Sequence, residues 1–399
     1  MKLRSLLLPF ATALVSLVLG ACDPIRLEVI LANQGGHGPT QGAPDAGQPP
    51  EEVEDDAGVP PLSKPDAGQL PDAGCWQSRE LAANVTSTSF AFDSQGVGHL
   101  AVSKSDSRIY VGSTGPGEVL APAGELQGSV RGFSLDAEGA RHLLISLNGH
   151  THYGQDQSGS WRSTLLYWDS DPMALVVDTW GFAHILFTQS TDSGRQLRYA
   201  TNRSGEWAVT ELAIELHPER EARADLAVDA QGHAHIAWRL AFSPGISYAT
   251  NASGFWVREL VEDIDGNTPV LTIDPVGRPH LLYAYGLWYA HHAVKQNGTW
   301  AIDGVGASVG NAIDLKVDRA GKLHALLDRS QNPKIVHATL PAGGRTWSYT
   351  PILGLEGQAG ATALTKSALG LDAAGTVHVG YGYEILGAGN SVRYARPCP

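Results

Sequence analysis

The stretch LAVDAQGHAHIAW, which runs from Leu226 to Trp238, decides the fold. Two short apolar runs flank the segment from Asp229 to His235, which has the pattern Asp-x-x-Gly-x-x-His. An Asp side chain accepts hydrogen bonds from nearby backbone N–H groups, and Gly tolerates positive φ, so the segment is typical of a tight turn. Short apolar runs that end at turn residues favour strands over helices. The stretch therefore predicts a β-hairpin.

The same pattern recurs seven times along the chain, with 42 to 54 residues between successive Asp residues. A period of this length indicates a repeat architecture. A residue that recurs in every repeat belongs to the scaffold, so we interpret these histidines as satisfied core residues rather than metal ligands or catalytic groups. The seven pairs are Asp93 and His99, Asp136 and His142, Asp178 and His184, Asp229 and His235, Asp274 and His280, Asp318 and His324, and Asp372 and His378.

A second half follows each motif, with an aromatic residue, a polar turn and then Trp. Each repeat thus holds four short strands, which is the content of one β-propeller blade. The sequence predicts an all-β fold, a seven-bladed propeller of four-stranded antiparallel blades spanning residues 75–399. The second halves are Tyr153 to Trp161, Tyr199 to Trp207, Tyr248 to Trp256, Tyr289 to Trp300, and His337 to Trp347, with Tyr110 alone in blade one.

The two ends of the repeat region predict how the ring closes. The last repeat stops after its third strand at Tyr394, and the segment from Gly74 to Leu81 reads like a fourth strand. The N-terminal segment would then complete the seventh blade, a 3+1 closure. Cys75 and Cys398 would face each other across one tight turn, so we expect a disulfide between them, with two free thiols as the alternative.

The N-terminus has the features of an export signal over residues 1–21. Lys2 and Arg4 precede the apolar run from Leu6 to Leu19, which is too short for a spanning helix. The following Leu19-Gly20-Ala21-Cys22 resembles the lipobox of bacterial lipoproteins. That resemblance implies cleavage before Cys22 and acylation of its thiol, and hence anchoring to a membrane of the cell envelope. An ordinary secretory signal is the alternative, and the choice between inner and outer membrane stays open.

Residues 22–74 after the signal read as a disordered linker. Pro-Asp-Ala-Gly occurs at Pro44, Pro65 and Pro71, and residues 23–74 carry ten acidic side chains against two basic ones. Such a composition buries too little apolar surface to order the chain. The whole protein of 399 residues has a formal net charge of −13, which predicts no basic face and no nucleic-acid partner. We expect a monomer without metal or cofactor.

Function should lie in residues that do not repeat. The strand 2–3 loops and the blade connections share the end opposite the Asp turns and vary in sequence, which is typical of a binding face. His150, His152 and Tyr153 are the sharpest local cluster, although a metal would need a third and a fourth ligand and no carboxylate accompanies them locally. His291 and His292 are neighbours and would face opposite sides of a strand. Trp238 and Trp288 are candidate sugar platforms or core residues.

The repeat resembles a common bacterial propeller repeat of undefined function. It resembles more distantly the Asp boxes of the sialidase superfamily, from which it differs by one extra residue between Asp and Gly and by His in place of an aromatic residue. Blade two, with His142, His150, His152 and Tyr153, is similar to propeller polysaccharide lyases that use His and Tyr as base and acid. We expect a non-enzymatic binding scaffold for an envelope protein or polysaccharide. A polysaccharide lyase or sialidase-like hydrolase is the alternative.

Overall fold

The computed structural model of the chain describes residues 75–115, 119–157, 159–192, 194–216, 224–239, 245–285, 289–307, 311–328, 335–352, 362–363, 368–385 and 389–398. The signal at 1–21, Cys22 and the linker to residue 74 lie outside these residues. Within the described part there is no helix of a length and apolarity that would span a bilayer. The strands of the described ranges are β1 (Trp76–Ala83), β2 (Val85–Phe92), β3 (Gly98–Lys104), β4 (Arg108–Ser113), β5 (Ala121–Gln127), β6 (Ser129–Leu135), β7 (Arg141–Leu147), β8 (His150–Gln157), β9 (Ser160–Tyr167), β10 (Ser170–Val177), β11 (Ala183–Thr191), β12 (Gly194–Thr201), β13 (Ala208–Leu216), β14 (Ala224–Val228), β15 (Ala234–Arg239), β16 (Ile246–Thr250), β17 (Val257–Glu262), β18 (Gly266–Ile273), β19 (Pro279–Tyr285), β20 (Tyr289–Gln296), β21 (Thr299–Ala307), β22 (Ala312–Val317), β23 (Leu323–Asp328), β24 (Ile335–Leu340), β25 (Ser348–Pro351), β26 (Thr362–Ala363), β27 (Ala368–Leu371), β28 (Val377–Ile385) and β29 (Gly389–Pro397).

These strands form seven antiparallel sheets, each a blade of a β-propeller. Six blades take four consecutive strands each, from β2–β5 in blade one to β22–β25 in blade six. Blade seven begins with β26 and β27, continues with β28 and β29, and takes β1 as its outer strand. The predicted seven-bladed fold and its 3+1 closure are confirmed.

The motif Asp builds the turn between the first two strands of each blade. In blade four, Asp229 Oδ1 accepts the backbone N–H groups of Gln231 at 2.9 Å and His233 at 2.8 Å. The Gly232 N–H donates to the Asp229 carbonyl at 3.0 Å. Gly232 has a φ of +77°, a conformation that glycine adopts without the steric penalty of a Cβ atom. The same carboxylate contacts recur in the other six blades, which explains why the motif repeats.

The hydrophobic core is divided among the junctions between blades. Each of the seven junctions holds one cluster of buried apolar side chains among the described residues. Leu197 and Tyr199 of blade three, for example, pack with Ile236 and Trp238 of blade four. The cluster at the last junction joins Val392 of blade seven to blade one. Apolar burial therefore runs around the whole ring, and the blades stabilise each other.

A disulfide closes the ring where the chain ends meet. Cys75 and Cys398 are bonded with their Cα atoms 5.3 Å apart, as predicted. The Cys398 N–H donates to the Cys75 carbonyl at 2.8 Å, and β1 pairs with β29 from Trp76 opposite Pro397. The bonded cysteines are 323 residues apart in sequence. For a closed loop of that size the chain-entropy model gives roughly 5–6 kcal/mol of stabilisation.

Alternation of strand direction gives the ring two different ends. The strand 1–2 and strand 3–4 turns lie at one end, which we call the Asp-turn face, and Cys75 lies there too. The strand 2–3 hairpins and the blade-to-blade connections lie at the other end, which we call the hairpin face. The first strands of all seven blades line a central cavity, which we call the axial channel.

Candidate functional site

Five of the seven motif histidines are bonded through both ring nitrogens, whereas His99 is bonded through Nε2 and His378 through Nδ1. In blade three, His184 Nε2 lies 3.3 Å from Asp178 Oδ2, and its Nδ1 lies 2.5 Å from the Tyr199 hydroxyl. Burial is the largest influence and lowers the pKa of His184 below its usual value, although Asp178 favours the charged form. The imidazole is thus neutral, with Nε2–H donating to the carboxylate and Nδ1 accepting from the tyrosine O–H. The His–Tyr pair recurs as His142–Tyr153, His235–Tyr248 and His378–Tyr394.

Three blades depart from this pairing. His292 in blade five and His337 in blade six take the tyrosine position, 3.0 Å from His280 and 3.1 Å from His324. In blade one, Val111 takes that position, since it lies opposite Ala101 just as Tyr153 lies opposite Leu144. The assignments of Tyr289 and Tyr110 to this position are therefore wrong. Both errors come from register, because a shift along a strand moves a side chain to the other face.

The tryptophan of each second half packs against the preceding blade. Trp207 meets the ring of Tyr153 edge-on at 5.0 Å, and Trp256 meets Tyr199 at 5.2 Å. The Asp, His, Tyr and Trp side chains thus form a joint that links the Asp turn of one blade to the outer strand of the next. Most of these groups are buried between blades, which favours a structural role for them, although His99 and Asp93 keep 24% and 26% of their side chains exposed.

The structure does not bring His150, His152 and Tyr153 together. Tyr153 lies on the opposite face of β8 and bonds to His142 at 2.6 Å, between blades two and three. His152 is partly buried. Burial is the larger cause that lowers its pKa, and the nearby His150 lowers it further. Only His150, with 21% of its side chain exposed, approaches the hairpin face. The predicted cluster therefore does not form one site. Tyr153 belongs to the packing between blades, and the two histidines have different surroundings.

His150 belongs to an exposed aromatic surface that the sequence analysis missed. Its Nδ1 accepts the Asp169 backbone N–H at 3.1 Å, which places the ring proton on Nε2. The Trp168 ring stands edge-on to His150 at 4.5 Å, and Trp168 is 63% exposed. Asp169 has a φ of +45°, which bends the connection from β9 to β10 beside Trp168. We call His150, Trp168 and Asp169 the Trp168 surface. Its sequence signal is a Trp between two strand runs rather than within one.

A second cluster of polar groups lies on the hairpin face between blades four and five. Glu262 at the end of β17 accepts the Tyr283 O–H at 2.6 Å and bonds to His291 Nδ1 at 2.9 Å. Burial raises the pKa of Glu262, but the hydrogen bonds from His291 and Tyr283 outweigh burial and the net pKa is below its usual value. The ionised carboxylate thus holds the proton on Nδ1 of His291 and leaves a lone pair on Nε2. We call Glu262 and His291 the dyad.

Two exposed tyrosines flank the dyad. Tyr285 is 42% exposed and Tyr289 is 46% exposed, and the Tyr285 ring lies 5.3 Å from that of His291. His292 is buried against His280 on the other side of β20, as expected for strand neighbours. Trp238 is 2% exposed, so it is a core residue and not a sugar platform. Trp288 and much of three other hairpin-face segments, around 217–223, 242–244 and 329–333, lie outside the described residues.

Comparison with known proteins shows the fold. No protein-family model matches this chain, and no curated protein matches it. Among solved structures, a catalytically inactive virginiamycin B lyase from Staphylococcus aureus with quinupristin has a TM-score of 0.55 at 11% identity, covering 80% of this chain and 99% of that chain. The polysaccharide lyase Uly1 has a TM-score of 0.54 at 9% identity, covering 79% and 90%. YCF48 bound to D1 peptide has a TM-score of 0.52 at 13% identity, covering 83% and 97%. At these identities the likeness is one of fold, and that fold serves both lyases and binding proteins.

Proposed function

We propose that this protein is a lipid-anchored binding scaffold of the cell envelope that holds polysaccharide on its hairpin face. The Trp168 surface is the observation that carries the proposal. A pyranose presents a face of C–H groups that packs well on an aromatic ring, while its hydroxyls need nearby donors and acceptors. Trp168 offers the ring, and His150 Nε2–H and the Asp169 carboxylate offer the polar partners.

The path of the chain supports a ligand site on the hairpin face. Acylated Cys22 would hold the protein at a membrane, stably so if more than one acyl chain is attached. The linker after it would reach roughly 40 Å as a flexible coil. The described chain starts at Cys75 on the Asp-turn face, so the tether arrives at the end opposite the Trp168 surface. Tethering would therefore leave the hairpin face free for a ligand.

Polysaccharide binding by the purified full-length protein tests the proposal. Neutral and acidic polysaccharides are cast into native gels, and retardation of the protein is measured. We expect a retarding polysaccharide whose effect is lost in Trp168→Ala and kept in Trp180→Ala. Trp180 is the matched control because it is 53% exposed on the Asp-turn face. Equal retardation of both variants would rule out the Trp168 surface, and retention of an envelope protein instead would make the ligand a protein.

The anchor is tested separately in cells that make the protein. In Cys22→Ser we expect the protein to move from the membrane fraction to the soluble fraction, because the acylated thiol is gone. Mass spectrometry of the N-terminal peptide should show the acyl groups in the unchanged protein. Membrane association that survives Cys22→Ser, with an unmodified peptide, would leave an ordinary secreted protein.

The dyad favours a second candidate, a polysaccharide lyase. His291 Nε2 would remove the proton beside the carboxyl group of a uronic acid, and the electron pair would form a double bond as the glycosidic C–O bond breaks. The leaving oxygen would take a proton from Tyr285 or from water. Glu262 would keep His291 in the required tautomer, and Tyr283 would position Glu262.

Turnover of uronic-acid polysaccharides, followed by the ultraviolet absorbance of the unsaturated product, tests this candidate. We expect His291→Ala to abolish any turnover and Glu262→Gln to lower it at least tenfold by disturbing the tautomer. His152→Ala should leave turnover unchanged, since His152 lies in another blade. Absence of product in the unchanged protein with every uronic-acid polymer would reject the lyase candidate and leave the scaffold proposal intact.

A further inference from the structure

The axial channel contains a cavity that neither the scaffold proposal nor the dyad uses. Its volume is 370 Å³, and residues from the first strand of all seven blades line it. Met173 and Leu175 of blade three, Pro269 of blade five and Ile313 of blade six form apolar walls. Apolar walls and a few convergent polar groups in a cavity of this size are typical of a small-molecule site.

Asp225, Asp314 and Lys316 are the charged side chains deeper in the channel, and the two carboxylates accept hydrogen bonds from backbone N–H groups. Asp314 Oδ1 accepts the Leu315 N–H and Oδ2 accepts the Leu369 N–H, both at 2.8 Å. Asp225 Oδ2 accepts the Leu271 N–H at 2.8 Å. Leu271 and Leu369 lie on the first strands of the next blades, so these carboxylates join neighbouring blades at the channel wall. Burial raises the pKa of Asp225 and so disfavours its charge.

Lys316 has more N–H donors than its contact with Asp314 uses. Its Nζ lies 3.3 Å from Asp314 Oδ1, and 49% of its side chain is reached by water inside the channel. An ammonium group carries three N–H donors, and Asp314 is its one partner among the described residues. Attraction to Asp314 is the largest influence and raises the pKa of Lys316, although burial opposes it. Lys316 is therefore charged and presents free N–H donors to the cavity.

Two arginine side chains line the opening at the hairpin face. Arg131 and Arg195 lie 3.7 Å and 4.0 Å from the same carboxylate, Asp171. Among the described residues that line the opening, two guanidinium groups stand beside one carboxylate, so the lining there is locally positive. A local field of this sign attracts anions into a cleft with low-dielectric walls. In the strand register, Asp171 lies opposite Thr188, near the hairpin face, and Lys316 lies opposite the motif histidine His324, near the Asp turn. Lys316 is therefore deeper in the channel than the opening.

We propose that the axial channel binds a small organic anion, a monocarboxylate with an apolar body. The carboxylate accepts hydrogen bonds from Lys316 Nζ at the deep end. The apolar body packs against Met173, Leu175 and Ile313. Arg131 and Arg195 draw the anion in at the hairpin face. Asp314 keeps its place when the ligand arrives, because both of its oxygens remain bonded to backbone N–H groups. This site is independent of the polysaccharide proposal and uses none of its residues.

Calorimetric titration of the purified full-length protein tests the site. The probes are hexanoate, hexanamide and hexylamine, which share an apolar body and differ in charge. We expect hexanoate to bind, with hexanamide weaker by about tenfold or more because a charge-assisted hydrogen bond is lost. Similar binding of hexanoate and hexanamide would overturn the proposal, and so would a preference for hexylamine.

Variants locate the binding. Lys316→Met should weaken hexanoate binding about tenfold, and Lys316→Arg, which keeps the charge, should weaken it less than threefold. Arg162→Gln on the exposed outer strand β9 is the matched control and should leave affinity unchanged. If Lys316→Met does not fold, Lys316→Arg and Arg195→Gln carry the test. Equal affinity across all variants would overturn the proposal. Trp168→Ala should keep hexanoate binding whether or not it loses polysaccharide binding, so the two proposals fail separately.

Discussion

His292 and His337 stand where blades two, three, four and seven carry tyrosine. Both are buried, and burial lowers the pKa of each to about 3. In the unfolded chain a histidine titrates near pH 6.5. Below about pH 6.5 the unfolded state thus binds protons that the folded state does not, so the free energy of unfolding falls as the pH falls towards 3. Each histidine accounts for about 2 kcal/mol of this loss by pH 5.

Restoring tyrosine at both positions should flatten this dependence. We expect the double variant His292→Tyr and His337→Tyr to lose less stability between pH 7 and pH 5 than the unchanged protein, by a few kcal/mol. The new hydroxyls would donate to His280 and His324 as tyrosines do in the other blades. Urea unfolding at the two pH values measures the difference. Parallel losses in both proteins would show that these histidines do not sense acid.

At the scale of the element, the Asp turns differ in what surrounds their glycines. Gly232 and Gly139 have φ values of +77° and +82°. A Cβ atom on Gly139 would meet nothing within 4 Å, whereas one on Gly232 would meet the Arg203 guanidinium and the Trp180 ring. Arg203 donates to the Gly232 carbonyl at 2.7 Å and stacks over Trp180 at 5.0 Å. The turn of blade four is thus locked to blade three.

Alanine substitutions separate the two effects. Gly139→Ala should cost about 1–2 kcal/mol, the penalty of positive φ for a residue with a Cβ atom. Gly232→Ala should cost about 1 kcal/mol more, because Arg203 must leave its carbonyl. Chemical denaturation of the two variants and the unchanged protein measures both costs. Equal costs would mean that the contact of Arg203 with the turn adds no stability.

The fold was predictable at this scale because each turn uses the same local chemistry. Asp caps the backbone and Gly supplies positive φ, so the motif marks every strand 1–2 hairpin regardless of its neighbours. The tyrosine position was less predictable, because the hairpin before it sets its register. Loops of different length moved Val111 and His292 into that position, where the sequence had suggested Tyr110 and Tyr289.

The candidate sites were harder to predict because each depends on the arrangement of several blades. Trp168 is exposed because it lies in a connection, whereas Trp207 and Trp256 are packed against the preceding blade. Glu262 and His291 are 29 residues apart and meet only when blades four and five pack. Lys316 alternates with apolar residues as an exposed strand residue would, and its place on the innermost strand puts it in the channel.

At the scale of the whole molecule, closure joins the two ends of the repeat region. β1 is the outer strand of blade seven although it comes first in the chain, so the ring cannot close until the last blade has been made. Its pairing with β29 and the disulfide between Cys75 and Cys398 hold that junction. We therefore expect the free energy of unfolding of the ring to depend on the disulfide between Cys75 and Cys398.

Removing that bond should weaken the closure of blade seven by β1 and β29. The double variant Cys75→Ser and Cys398→Ser should lose up to roughly 5–6 kcal/mol of unfolding free energy, the value for a closed loop of this length. Reductant should lower the stability of the unchanged protein by a similar amount and leave the double variant unaffected. Unfolding in urea with and without reductant measures both. A double variant as stable as the unchanged protein would show that strand pairing alone closes the ring.

The position of the disulfide also decides how the protein bears a mechanical load. A pull on the chain that precedes Cys75 arrives at this residue, which is covalently linked to Cys398 on the neighbouring strand. The force therefore acts on β1 and β29 together and cannot peel one from the other, hydrogen bond by hydrogen bond. The disulfide therefore protects the pairing of β1 with β29 against a force applied through the preceding chain.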